Sequence, residues 1–155
     1  MSGQVIIRKA GLRDAESIAS FNMQMADETE NKELNKDAVL QGVKAVIKDP
    51  RKGFYLIAEQ VAEQTIIIGQ LLITFEWSDW RNKYFWWIQS VYVDKEFRNK
   101  KVLSRLYRRI IDVTEESKEV CGIRLYVEKH NKQAKEAYES LGMVKTQYEV
   151  YEKII

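Results

Sequence analysis

Residues 91–110 read VYVDKEFRNKKVLSRLYRRI, and the class of fold turns on them. Val91, Tyr92 and Val93 close a β-branched and aromatic run, Asp94 to Lys101 is a basic turn, and from there the apolar residues change to helical spacing. Leu103, Leu106, Ile110 and Val113 share one helix face, with Arg105, Arg108 and Arg109 largely off it. A strand that feeds through a short turn into a helix places free N–H groups and the positive end of the helix dipole beside Arg98, Lys100 and Lys101, and such a junction attracts anions. A pyrophosphate is the natural guest. From charge alone a solvated basic turn reads the same way, and the turn contains no glycine.

Upstream, Tyr84 to Asp94 (YFWWIQSVYVD) is large and apolar at nearly every position, as expected of a central strand covered on both faces. Phe54 to Glu59 and Thr65 to Trp77 flank a polar turn, Gln60 to Gln64, and predict an antiparallel hairpin. Val5 to Arg8 predicts a first strand, and Ile18, Phe21, Asn22 and Met25 follow at helical spacing. Asn35 caps a second helix with Val39, Val43, Val46 and Ile47 as its stripe, and Asp49-Pro50 stops it. Downstream, Gly122 to Glu128 predicts a fifth strand and Asn131 caps a short helix bearing Ala134, Tyr138 and Leu141, which Gly142 closes. TQYEVYEKI ends the chain as a further strand, with room for a short one at Met143 to Lys145. The order predicts a mixed sheet with helices on both faces. Its two strand-to-helix junctions, after Val93 and after Val127, fall at one sheet edge, where open α/β sheets bind ligands.

At 155 residues and 45% hydrophobic, the chain suits one domain running from residue 1 to 155. The formal net charge of +2 gives no footprint for general nucleic-acid or membrane binding. A single cysteine, Cys121, excludes an internal disulfide and a multi-cysteine metal site; no metal is expected, and Cys121 reads as small core filling. No apolar run reaches the roughly 18 residues of a membrane span, and Met1 to Arg8 lacks the features of a signal peptide. A cytoplasmic protein without a membrane is the expectation.

Asn131 to Met143, NKQAKEAYESLGM, matches the pattern N-x-x-A-x-x-x-Y-x-x-L-G-[FM]. With the opening IIRKAGLRDAESI and the segment Ile88 to Leu106, it resembles the GNAT superfamily of N-acetyltransferases over essentially the whole chain. The resemblance implies an α/β (α+β) fold with a mixed, mostly antiparallel sheet of six to seven strands, the fourth and fifth splayed apart. It implies acetyl-CoA as co-substrate and direct transfer of the acetyl group to a primary amine of a small molecule or peptide. Carried over, Val91, Tyr92 and Val93 line the pantetheine arm through backbone pairing. Arg98, Asn99, Lys100, Lys101, Val102, Leu103 and Ser104 form the pyrophosphate loop. Asn131 and Ala134 approach the cofactor, and Tyr138 stands near the thioester sulfur as general acid. Tyr138 also fits a core stripe with Ala134 and Leu141, and Asn131 fits a plain N-cap. Family members often dimerise, so a homodimer is open.

The family's loop reads Q/R-x-x-G-x-G/A, whereas this chain has Arg98, then Lys101 and Leu103 at the small positions. Lys101 costs little if its backbone is helical and roughly 1 kcal/mol or more if φ is positive. A member that has lost its cofactor and works as a sensor or interaction module is the competing reading. For the base, Glu76 and Glu128 stand at strand ends as candidates, with structural roles as the alternative, and His130 reads as a capping neighbour. Gln89, Trp77 and Trp80 are candidate acceptor contacts, although a dimer surface explains the tryptophans as well. The acidic stretch Met25 to Asn31 is read as a loop between the first two helices, either solvated or attracting a cationic acceptor.

Overall fold

Short local signals set the ends of most elements. The Asn35 side chain accepts the Ala38 N–H at 2.9 Å and opens α2, Lys36–Lys48. Asn31, left-handed at φ 48°, ends α1, Ala15–Glu30. The acidic stretch expected between the helices therefore lies mostly inside α1, because nothing before Asn31 breaks the helical backbone. The computed structural model describes residues 3–155, which divide into two compact units meeting after Leu125.

The first unit holds β1 (Gln4–Lys9), α1, α2, β2 (Phe54–Val61), β3 (Thr65–Ser78), β4 (Lys83–Val93), α3 (Val102–Glu116) and β5 (Val120–Arg124). Its five strands lie in the order β1-β2-β3-β4-β5. All neighbours are antiparallel except β4 and β5, which run parallel with α3 as the crossover. Alternation along β2 sends Tyr55 and Ile57 to one face, packed with Ile18 and Ala19 of α1 and Val43 of α2. Leu56 and Ala58 go to the other face, packed with Leu106 and Ile110 of α3. Trp86 joins the α3 core, and the buried helix-start residue there is Val102, where the spacing pointed to Leu103.

The second unit, Tyr126–Ile155, contains α4 (Lys132–Ser140). The strands expected at Met143 to Lys145 and Thr146 to Ile154 are not assigned, and β5 ends at Arg124, not Glu128. The described sheet thus has five strands, not six or seven. A strand is defined by its ladder, and alternation in TQYEVYEKI supplies a face but no partner.

Arg8 of β1 forks onto Asp14, at 2.9 Å to each carboxylate oxygen, and reaches Glu59 of β2 at 3.1 Å. The hydrogen bonds from Arg8 hold the Asp14 carboxyl below its ordinary value despite burial. Its stabilisation is present above the ordinary carboxylate pKa and is lost as pH falls, so the stability gap between wild type and Asp14→Asn should close in acid urea titrations. Gly53 has φ 147°, and an added Cβ would stand 2.0 Å from the Ile73 carbonyl oxygen. Gly53→Ala should cost about 3 kcal/mol or more. Gly42, inside α2 with open space around it, should do the opposite. Gly42→Ala is expected to gain about 0.5–1 kcal/mol in the same urea denaturation assay.

Candidate functional site

The pairing of β4 with β5 runs from Tyr84↔Val120 to Trp87↔Arg124. β4 continues from Ile88 to Val93 with no further β5 pair, which is the splay that the sequence led us to expect. In the same stretch the register with β3 slips between Tyr92↔Gln70 and Gln89↔Leu72. One extra residue is accommodated there, with Ser90 at φ 45°.

Past Val93 the chain makes a tight turn, Lys95–Phe97, capped by the Asp94 side chain on the Glu96 N–H at 3.0 Å. Asn99 (φ 63°) and Lys101 (φ 64°, ψ 19°) are then both left-handed. Lys101 is the N-cap of α3 and has no side-chain cap bond. The first helical bond runs from the Arg105 N–H to the Lys101 carbonyl at 3.0 Å, so the N–H groups of Val102, Leu103 and Ser104 precede it. Successive amides at an uncapped helix start form an anion cradle, and the ammonium groups of Lys100 and Lys101 stand on exposed residues beside it. These residues fit a pyrophosphate.

Three of the expected cofactor residues make contacts within the chain. Arg98 turns away from the cradle: its Nε donates to the Val93 carbonyl at 2.9 Å and its Nη2 to Glu28 Oε2 at 2.7 Å. Val93 stands opposite Gly69 of β3 in a non-hydrogen-bonded pair, because the neighbouring Asp94 N–H goes to the Ile68 carbonyl at 2.9 Å; Arg98 takes the Val93 carbonyl, and the Val93 N–H is left on the side of β4 away from β3. Tyr92 is buried under α1, its ring 4.9 Å from Phe21. Desolvation and the hydrogen bond to Glu28 push its hydroxyl up to about 12. Its backbone faces Gln70 of β3 in the ladder.

Buried Gln70 donates to Ile18 and Asn22 of α1, which fixes the face of β3 that Leu72, Thr74 and Glu76 share by alternation. Gln89 donates to Thr74 at 3.2 Å on that face. Glu76 accepts from Trp87 Nε1 at 2.8 Å and from Arg124 Nη1 at 2.9 Å. Glu76 is thus set among polar neighbours from three strands, with both oxygens engaged. Trp77 points to the opposite face, against Tyr84 at 4.9 Å, and so parts from Gln89 and Glu76. Trp80 is 86% exposed in the hairpin turn.

In the second unit the Asn131 side chain accepts the Ala134 N–H at 3.1 Å and opens α4. It is an N-cap as the sequence indicated. Burial pushes the Tyr138 hydroxyl up. Gly142, at φ 90°, follows the helix, and the Met143 N–H returns to the Tyr138 carbonyl at 3.1 Å. The Glu128 carboxylate accepts the His130 N–H at 2.7 Å, a local turn bond. Cys121 is half-buried, its thiol donating to the Tyr84 carbonyl at 3.3 Å. Among the described residues no cluster of His, Cys, Asp and Glu is arranged to hold a metal, and no helix is long and apolar enough to cross a membrane.

The sequence reasoning missed Glu28, which gathers Tyr92, Lys95 and Arg98. Its position seven residues after Phe21, on the buried side of α1, was the available signal. The left-handed Lys101 gives a direct test. Lys101→Gly should raise stability by about 1 kcal/mol and Lys101→Ala should not, as read by urea denaturation.

The acetyltransferase (GNAT) family profile matches residues 13–143. No match was found among curated proteins. A possible acetyltransferase from Clostridium difficile 630 is 44% identical over 97% of both chains, with a TM-score of 0.90. The crystal structure of a predicted acetyltransferase with acetyl-CoA from Clostridium acetobutylicum has 18% identity, 97% and 96% coverage of this chain and its own, and a TM-score of 0.76. Glucosamine-6-phosphate N-acetyltransferase from Arabidopsis thaliana has 18% identity, 98% and 99% coverage, and a TM-score of 0.73. The splayed strands, the anion cradle and these matches together establish that the chain belongs to the GNAT acetyltransferase family, acyltransferases that use acetyl-CoA as co-substrate.

Proposed function

We propose that the protein transfers the acetyl group of acetyl-CoA directly to a primary amine of a small molecule or peptide. The observation that carries this reading is the uncapped start of α3 beside a β4 that outruns its pairing with β5. Backbone amides from Asn99 to Ser104, with the charges of Lys100 and Lys101, hold the pyrophosphate. The open edge of β4 around Val91 pairs with the pantetheine arm.

The thioester supplies the activated acetyl carbon, and the residues of this chain manage the protons. The acceptor amine lies on the face that carries Thr74, Glu76 and Gln89, with Gln89 orienting it. Glu76, held as a carboxylate-bearing hub by Trp87 and Arg124, takes the amine's proton through water, and Glu128 is the second candidate. The amine nitrogen bonds to the acetyl carbon, the carbon–sulfur bond breaks, and the leaving thiolate takes a proton from a general acid, the role that the family resemblance implies for Tyr138. The Tyr138 hydroxyl is in the protonated form that the role requires, as a phenol ordinarily is at neutral pH. A glucosamine-phosphate acetyltransferase among the structural neighbours is consistent with a small polar amine. A homodimer and a cytoplasmic location fit this reading as well.

One observation favours a second reading, a fold retained without catalysis: Lys101 adopts left-handed backbone where the family has glycine. Calorimetric titration with acetyl-CoA, followed by thiol release over an amine panel, separates the two. Micromolar binding and turnover support the enzyme; no binding by wild type, restored in Lys101→Gly, supports the interaction module. Tyr138→Phe should lower kcat about 10²-fold or more while leaving the acetyl-CoA Kd within twofold. An acid with a raised pKa is competent below that value and lost above it. Wild-type kcat should therefore show no falling limb from Tyr138 through the neutral and mildly alkaline range, as read from a pH profile.

A further inference from the structure

We infer that Glu28 is a positioning residue for the cofactor loop, acting through Arg98, and that Arg98 braces the loop and does not bind the phosphates. The inference rests on the cofactor reading above. Glu28 belongs to α1, outside the strand-to-helix junction, yet three residues of that junction converge on its carboxylate. Oε1 accepts the Tyr92 hydroxyl at 2.8 Å, with Lys95 Nζ at 3.5 Å, and Oε2 accepts Arg98 Nη2 at 2.7 Å. The Arg98 guanidinium meanwhile donates to the Val93 carbonyl at 2.9 Å and lies 5.3 Å from the centre of the Tyr92 ring. Its fork is therefore spent on the last residue of β4, on the ring beneath it and on α1.

Arg98 immediately precedes Asn99, the first of the two left-handed residues that shape the cradle. Such backbone persists only where its surroundings over-determine it, and no side chain caps α3 to help. The bidirectional hold on Arg98, by Val93 on one side and Glu28 on the other, fixes where the left-handed run begins. A half-exposed arginine without its carboxylate would be free to leave Val93 or to compete for the anion. Loss of Glu28 then loosens the amide cradle without removing any group that meets the cofactor.

Acetyl-CoA is titrated calorimetrically into wild type, Glu28→Gln, Arg98→Gln and the double variant. Each single change should raise Kd five- to tenfold, and the double should stay within about twofold of the worse single, because both act through one contact. Effects that multiply in the double variant, or a Glu28→Gln Kd within twofold of wild type, would overturn the proposal. A purely structural loss in α1 would lower the melting temperature and add to the Arg98 effect, so melting curves accompany each titration. Should Glu28→Gln fail to fold, Tyr92→Phe removes only the hydroxyl that steadies Oε1, and a two- to threefold rise in Kd is expected; an unchanged Kd overturns the proposal there too. Absence of acetyl-CoA binding in the wild-type arm would instead overturn the cofactor reading and this inference with it.

Discussion

The parallel pairing of β4 with β5 constrains everything else in the first unit. Parallel neighbours need a crossover, and here the crossover is α3, which must start at the C-terminal end of β4. The pairing lasts only from Tyr84 to Trp87, and so the half of β4 nearest the helix start keeps an edge that β5 does not use. The close approach depends on Gly122, where an added Cβ would come within 2.7 Å of the Phe85 ring. That ring is fixed from two sides, by the guanidinium of Arg124 at 3.6 Å and that of Arg81 at 4.9 Å.

Backbone strain gathers at the same place. Among the described residues, Asn31, Asn82, Ser90, Asn99 and Lys101 are the non-glycine positions with positive φ, and the last three fall within one strand end and its loop. Asparagine tolerates this region better than serine or lysine does. A core built by Leu71, Ile73, Leu106 and Ile110, all fully buried, is what holds such a loop in shape. Stability is generated under α3 and consumed at its first turn.

The order of elements could be read because periodicity and caps act locally. Asn35 and Asp49-Pro50 bracket α2, Asn131 opens α4, and the apolar run before Asp94 announced a strand, though β3 and not this β4 is the middle of the five and most of β4 is only half-buried. What escaped the sequence was non-local or conformational. Lys101 has the same letter in helical and left-handed backbone, and the surroundings of the loop make the choice. Arg98 read as a phosphate ligand because its carboxylate lies in α1, far along the chain. The faces of Glu76 and Trp77 follow from simple alternation, whereas the extra residue near Ser90 shifts the register of β4 and gives no sequence signal. The C-terminal alternation specified a face without specifying a neighbour.

The connectivity of the sheet also orders the entropy of its assembly. β2, β3 and β4 form a meander whose two turns join Val61 to Thr65 and Ser78 to Lys83, so their ladders close over short loops. β1 meets β2 through Lys9↔Leu56 only after both α1 and α2 are enclosed, and β5 reaches Trp87 only after α3 is enclosed. Loop closure costs least for the meander and more for its two flanking strands. The half-paired edge of β4 is therefore completed by a pairing that costs more than those of the meander, and the central three strands are the part of the sheet with the lowest barrier to forming alone.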